Sequence, residues 1–532
     1  MNSFNLFLSF LFYLFVLYSS FSLFVQADDE LVGTDINHWC QTTPHPNQCN
    51  FFLGRGKHHV PRHRTDFRML ALQAAVDNAN EALGCTRDLG KMCQTMATTA
   101  VWNDCYKLLN NTVFQLNQTL VGLKNNRSSN FDAQTWLSAA FTNLQTCFSG
   151  CVEMNLTDFA SPIKSSNLTE MISNSLAINH LFLNQNPNYD FNTNDFPAWV
   201  THHDRRLLAT TSIQSIANVI VSQTPDSRFP TIQSALDYAR SIDHGDQRFI
   251  IYIKGGVYNE NIQIVNDLKN IMFVGDGIRY TIITGNRSAR GGSTTYSSAT
   301  VGVDCSGFIA RGITFRNTAG PESGQAVALR SASDLSVFYA CSFEGYQDTL
   351  FAVSQRQFFK LCYISGTIDF IFGNAAVVFQ NCVILVRKPL NGQANMITAQ
   401  GRGDPFQNTG ISIHNCRIIP TPELIPVVSS VQTYLGRPWQ EYSRTVFMKT
   451  YLDGFINPQG WSPWGNTDFA FNTLYYGEYG CFGPGAAMEN RVKWAGYHAN
   501  MSSSEARMFT VEGLIAGRAW LPATAVPFIA GL

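Results

Sequence analysis

Two patterns of apolar positions divide the chain. Up to about residue 185, apolar side chains recur three and four residues apart. Met69, Leu72, Val76, Ala79 and Leu83 make one such stripe, and Val101, Cys105, Leu108 and Leu109 a second. Trp136, Ala140, Phe141, Leu144 and Cys147 make a third, and Leu168, Met171, Ile172 and Leu176 a fourth. Stripes at that period predict an all-α four-helix bundle over residues 28–185. From residue 213 onward the period gives way to short runs of strand formers such as Phe249–Ile253, Val377–Phe379 and Ile411–Ile413, punctuated by Gly and Asn. One helical stretch, Ile232 to Ala239, precedes these strands. Between the two regions, residues 186–212 are dominated by Asn, Pro, Asp and Thr without apolar periodicity, which predicts a linker.

The strand region repeats. Phe338-Tyr339-Ala340-Cys341 resembles Phe358-Phe359-Lys360-Leu361-Cys362, and then come Phe379-Gln380-Asn381-Cys382 and Ile413-His414-Asn415-Cys416. The steps from 341 to 362, 362 to 382 and 382 to 416 are 21, 20 and 34. A period near 20 with insertions is the signature of a stacked coil, most simply a parallel β-helix. Equivalent residues on adjacent coils then lie about 4.8 Å apart, within the Cα range of a disulfide. Cys341–Cys362 is therefore a candidate bridge, with a ladder of buried free thiols as the alternative, which stays open for Cys382 and Cys416. In the helical part Cys40 and Cys49 close a short loop, and Cys105 and Cys147 lie on apolar stripes of neighbouring helices where they can bridge. Cys85, Cys93, Cys151, Cys305 and Cys481 have no assigned partner.

The same period organises polar residues. Asp348 and Asp369 are 21 apart and Gln325 and Gln347 are 22 apart, so two carboxyls and two amides stack on one face of the coil. Each Asp is embedded in apolar sequence, where a carboxylate is costly without a partner or a purpose. Two close carboxyls in an apolar cleft titrate apart, one protonated and one ionised, which divides labour between acid and nucleophile. The same pair also serves glycoside hydrolysis, so by itself it does not name the substrate. In Tyr434-Leu435-Gly436-Arg437-Pro438-Trp439, Arg437 is suited to hold a carboxylate in a bidentate fork, and Trp439 to stack on a sugar. Trp461 and Trp464 are candidates to extend that platform, core packing being the alternative.

Composition narrows the setting. A chain of 532 residues with 45% apolar content builds more than one folded domain. A net charge of −1 excludes a strongly basic nucleic-acid binder. Residues 1–209 carry 13 Lys/Arg against 16 Asp/Glu, and residues 210–532 carry 24 against 22, a slight positive bias that suits a polyanionic ligand. From Phe4 to Val25 there is no charge, and Val25-Gln26-Ala27 precedes Asp28 like a cleavage site, so residues 1–27 read as a secretory signal, with a membrane anchor as the alternative. Glycosylation sequons at Asn110, Asn117, Asn126, Asn155, Asn167, Asn286 and Asn500 agree with secretion. The linker holds Arg205-Arg206-Leu207-Leu208, a dibasic protease site or a solvated charge pair. No acidic ligand cluster for a metal is visible, and no cofactor is expected.

Four blocks now carry a resemblance: Gln325-Ala326-Val327-Ala328-Leu329-Arg330, Gly345-Tyr346-Gln347-Asp348-Thr349-Leu350, Gly366-Thr367-Ile368-Asp369-Phe370-Ile371-Phe372-Gly373 and Leu435-Gly436-Arg437-Pro438-Trp439. In this order they resemble the plant pectinesterases from about residue 214 to 532, and the helical part resembles the pectin methylesterase inhibitor domain with its Cys40/Cys49 and Cys105/Cys147 pairs. The resemblance implies an all-β right-handed parallel β-helix catalytic domain over 213–532. It implies hydrolysis of galacturonate methyl esters in pectin, by a monomer in the cell wall. Asp369 is then the nucleophile, Asp348 the general acid and base, and Gln347 with Gln325 the oxyanion donors. Arg437, Trp439 and Thr295 are then substrate contacts. It also implies processing at residues 205–208 by a subtilisin-like protease, and a proteinaceous inhibitor as a partner. Phe351 departs from the Tyr usual in that family, and the Asp-Gly-Ser-Gly run common at the start of its catalytic domain is missing from residues 221–228. A polygalacturonase or lyase on the same fold, and a non-enzymatic inhibitor or pectin-binding protein, are the competing readings; the Gly-His-Gly block of the galacturonases is absent from the sequence.

Overall fold

The computed structural model describes residues 35–54, 60–183 and 215–532. The expected signal segment, the linker and the dibasic site at 205–208 lie outside the described residues. Four long helices form the bundle: α1 (Arg64–Leu89), α2 (Met96–Lys124), α3 (Asn130–Glu153) and α4 (Leu168–Leu183). Thr95 and Ser129 start α2 and α3 with capping boxes, each side chain accepting from the backbone three residues on. Helix α3 is buried nearly all round, because the other helices pack on one side of it and the second domain on the other. Disulfides Cys40–Cys49 and Cys105–Cys147 close the short N-terminal hairpin and tie α2 to α3.

From Val219 the chain winds into a parallel β-helix with sheets of eleven, seven and eight strands. Its interior is a ladder of like residues. Phe338, Phe359 and Phe379 are register partners on successive coils, and their rings stack at 4.5 and 4.7 Å. Each coil turns at a residue with left-handed backbone: Ala340, Leu361, Asn381, Asn415 and Lys449. The conformation costs about 1–2 kcal/mol for an ordinary L-residue, a cost that Asn carries most easily. Helix α5 (Ile232–Ser241) buries Ile232, Ala235, Leu236 and Ala239 against one open end of the core, as a terminal cap must in a stacked fold.

The cysteine that follows four of these turns corrects one expectation. Cys341 and Cys362 are not bonded, and with Cys382 and Cys416 they form a column of buried free thiols. Their sulfurs instead lie near backbone carbonyls, as Cys362 Sγ does at 3.3 Å from the Phe338 oxygen. In-register residues of a parallel ladder project side by side and hold their Cβ atoms near the strand spacing of about 4.8 Å, wider than the roughly 3.8 Å that a disulfide prefers.

The seven-stranded sheet forms the floor of a cleft. Its strands are β1 (Ile262–Ile264), β2 (Val301–Val303), β3 (Leu329–Ser331), β4 (Leu350–Ala352), β5 (Ile371–Gly373), β6 (Asn395–Gln400) and β7 (Thr433–Pro438). The bundle sits on this floor. Ala299, Val327, Phe351, Phe372 and Ala399 share one apolar cluster with residues of α2 and α3. Around that cluster the contacts are polar. Arg356 bonds Asp334 and, from α3, Asp132, each at 2.7 Å. Asn374 donates to Thr142 at 2.8 Å and Ser173 to Asp404 at 2.6 Å. An apolar centre with a polar surround is the composition of an interface between separable bodies. Among the described residues no helix is long and apolar enough to cross a membrane.

Thiol titration of the denatured, unreduced protein should count nine free thiols, with Cys341 and Cys362 among the labelled peptides. A count of seven lacking those two would restore the bridge.

Candidate active site

Register places the two carboxyls. Leu350 of β4 pairs with Ile371 of β5, so Asp348 and Asp369, each two residues upstream, occupy equivalent positions on adjacent coils. The Asp348 N–H donates to the Ile368 carbonyl at 3.0 Å. Both aspartates have left-handed backbone, with φ of 61° and 51°, an uncommon conformation that concentrates at functional sites. Both are buried, at 7% and 6% exposure.

Their surroundings differ in one cation. Arg437 of β7 reaches across β6 and donates from Nε to Asp369 Oδ1 at 2.9 Å and from Nη2 to Oδ2 at 2.6 Å, the bidentate fork. Its guanidinium also lies 4.4 Å from the ring centre of Trp464. Burial pushes both carboxyls above the usual carboxylate range. For Asp348 the rise is large, because the charges of Asp369 and Glu153 add to burial and Arg437 offsets only part. For Asp369 the hydrogen bonds and charge of Arg437 restrain the rise. One proton shared by the pair therefore resides on Asp348, leaving Asp369 as the carboxylate.

The pair opens into a cavity of about 650 Å³ whose wall includes Gln325, Gln347, Thr295, Arg437 and Trp439. All seven residues singled out from the sequence for catalysis and binding thus line one cavity. Trp439 stands edge-on to Phe351 and Phe372, with ring centres 6.2 and 5.9 Å away. Gly401 makes room for it, since a Cβ there would come within 2.7 Å of the indole. Trp464 lines the cavity. Trp461 does not extend the platform: it is fully buried and stacked on Tyr476 at 4.1 Å, because its place beside β7 faces the coil interior.

The roof of the cavity comes from the bundle. Gln145, Phe148, Ser149 and Glu153 of α3, with Asp104 of α2, complete the wall. Glu153 accepts a hydrogen bond from the Thr295 backbone N–H at 2.8 Å, and Asp104 accepts one from the Thr294 hydroxyl. Neither acid, nor Tyr296 beside them, stands out in the sequence. The two acids belong to a different domain, far along the chain from the threonines they bind, and no repeat or block marks any of the three.

Comparison with known proteins gives this cavity a lineage. The pectinesterase family pattern matches residues 218–518, and that of the plant invertase/pectin methylesterase inhibitors matches residues 34–178. The chain belongs to the pectinesterases. It is 51% identical to probable pectinesterase/pectinesterase inhibitor 33 of Arabidopsis thaliana, over 94% of this chain and 87% of the relative. It is 52% identical to pectinesterase 2 of Citrus sinensis, over 94% and 95%. Among solved structures, the pectin methylesterase from carrot is 53% identical with a TM-score of 0.58, and the match covers 59% of this chain and 98% of that one. This pectinesterase therefore carries an inhibitor-family region that the carrot chain lacks, seated over the cavity.

Replacing Arg437 by Gln removes the cation that restrains Asp369. The lower of the pair's two carboxyl titrations, followed by infrared difference spectra of the β-helix domain, should then move to higher pH. An unmoved titration would show that Arg437 does not set which acid ionises.

Proposed function

We propose that the β-helix domain hydrolyses the methyl esters of galacturonate in pectin, releasing methanol, and that the chain is secreted to the cell wall. The observation that carries this reading is the stacked pair Asp348 and Asp369 with Arg437 clamping only the second. Asp369 attacks the ester carbonyl, and the carbon–oxygen double bond opens to a tetrahedral oxyanion. Amide N–H groups of Gln347 and Gln325 donate to that oxygen where its charge develops. Collapse breaks the bond to the methoxy group, which takes the proton of Asp348 and leaves as methanol. The acyl group now sits on Asp369 as an anhydride. Asp348, as carboxylate, takes a proton from water, whose oxygen attacks the acyl carbon. Asp369 leaves as the carboxylate, Asp348 is reprotonated, and the product is galacturonic acid, which gives up its proton to solvent as galacturonate. Trp439 and Thr295 hold the sugar beside the pair. Pectinesterases are the chain's family, and its relatives carry that name.

Sequons suit secretion. Asn110, Asn126, Asn155, Asn286 and Asn500 are exposed, and Asn117 and Asn167 half-buried. Cleavage at residues 205–208 by a subtilisin-like protease would free the β-helix domain as a monomer. The helical region, while attached, roofs the cavity with α3 and keeps pectin out; a separate inhibitor protein of the same family would seat on the same floor.

Residues 215–532 should release methanol from highly esterified pectin without new reducing ends. Asp369→Ala should lower kcat by at least about a hundredfold. Reducing ends without methanol would mean a glycosidase or lyase instead.

The full chain should be at least about tenfold less active than residues 215–532, and its latency should depend on pH. Burial pushes the Asp104 carboxyl up to about 6, offset in part by the Thr294 hydrogen bond and by Arg330 and Lys107. A group whose value is raised by docking favours docking below its undocked value, and that gain is lost as pH rises through the docked value. Latency should therefore be greatest near pH 4 and weaken toward and above pH 6, as read by activity of a cleavage-resistant full chain normalised to the free domain. A pH-independent ratio would remove Asp104 from the account.

A further inference from the structure

The cleft floor holds one row of residues in register from β1 to β7: Gln263, Gly302, Arg330, Phe351, Phe372, Ala399 and Arg437. Arg437 clamps the reactive Asp369 at one end. At the other end Arg330 lies down along the row above Gly302, where an added Cβ would come within 2.4 Å of both its Nη2 and Gln263 Oε1. Its guanidinium donates to Asp304 Oδ1 at 2.7 Å, Asp304 Oδ2 at 3.2 Å and Gln263 Oε1 at 2.7 Å, and stacks on Tyr296 at 3.8 Å. Two acceptor oxygens are thus held rigidly side by side.

Both receive a donor from the bundle. Lys107 of α2 places Nζ 2.6 Å from Asp304 Oδ2 and 3.1 Å from Gln263 Oε1. Next to it the Tyr296 hydroxyl is buried beside the Asp304 carboxylate, on a residue that lines the cavity of Asp348 and Asp369. The Asp304 charge is already matched by Arg330, so the Lys107 ammonium is an additional donor rather than a structural counter-charge. Its stem belongs to a separable domain.

We propose that Asp304, Gln263 and Tyr296 form a subsite for the hydroxyl edge of a galacturonate ring, and that Lys107 fills it in the unprocessed chain. The inference rests on the pectin-esterase reading. Hydroxyls donate to the two oxygens as the ammonium does, whereas a carboxylate would face Asp304 and be repelled, so the subsite reads the neutral edge of the sugar. Asp304 follows β2, two strands from β4, which places it about 10 Å along the axis from Asp348 at the spacing of neighbouring strands. A single ring bound at the reactive pair does not span that distance, so the subsite acts on longer chains.

The test is binding of an unesterified oligogalacturonide by calorimetry to residues 215–532, a part that stands alone as the solved chain of the carrot relative. Gln263→Ala should weaken binding about tenfold and Tyr296→Phe about threefold, as loss of one hydrogen bond each implies. Tyr296→Phe removes only one hydroxyl, and the melting temperature of each variant is compared with that of the parent, so a folding defect cannot mimic the result. Both Kd values within twofold of the parent would overturn the subsite. Absence of methanol release by the parent would overturn the esterase reading instead, whatever the binding shows.

Discussion

Parallel pairing between β4 and β5 is the constraint on which the site depends. One turn of the coil brings Leu350 and Ile371 into register, and everything two positions upstream follows. Slip that register by one and Asp369 would turn away from Asp348, leaving Arg437 without its carboxylate. The stacked Phe338, Phe359 and Phe379 rings resist such a slip, since each ring would lose its neighbours in the stack. The core thereby holds the chemistry in place across a backbone that is otherwise a run of short strands.

Charge on the cleft floor is organised by the same row. Two arginines, Arg330 and Arg437, stand toward opposite ends with two phenylalanines between them. Each is neutralised by one aspartate, Asp304 or Asp369. Arg437 keeps part of its side chain open to the cavity, whereas Arg330 is fully buried and holds its partner fixed. One residue type thus does two jobs, according to how much of the cavity it faces.

The bundle meets this floor through an apolar centre with polar contacts around it, and its Asp104 is drawn out of water there. Asp104 and Glu153 both rise above their usual range through desolvation, a cost of seating the helices over a cavity that itself contains two aspartates. That desolvation ties the seating of the helices to the protonation of Asp104.

Helical and stacked-coil periods were legible in the sequence because each is a local repetition of apolar positions, at three to four in one half and near 20 in the other. The spacing of Asp348 and Asp369 by one coil was legible for the same reason, as were Gln325, Gln347 and Arg437 through their blocks. The thiols show the limit: a spacing of one coil says that Cys341 and Cys362 are neighbours, and only the parallel projection of their side chains decides that they stay unbonded. Trp461 and Trp464 lie close together in one motif, yet one is core and the other cavity wall, a matter of which side of the coil each faces. Nor does any local pattern say that Glu153, Asp104 and Lys107 of the bundle meet Thr295, Thr294 and Asp304 of the β-helix. Contacts between domains carry no period, so only the docked tertiary structure decides them.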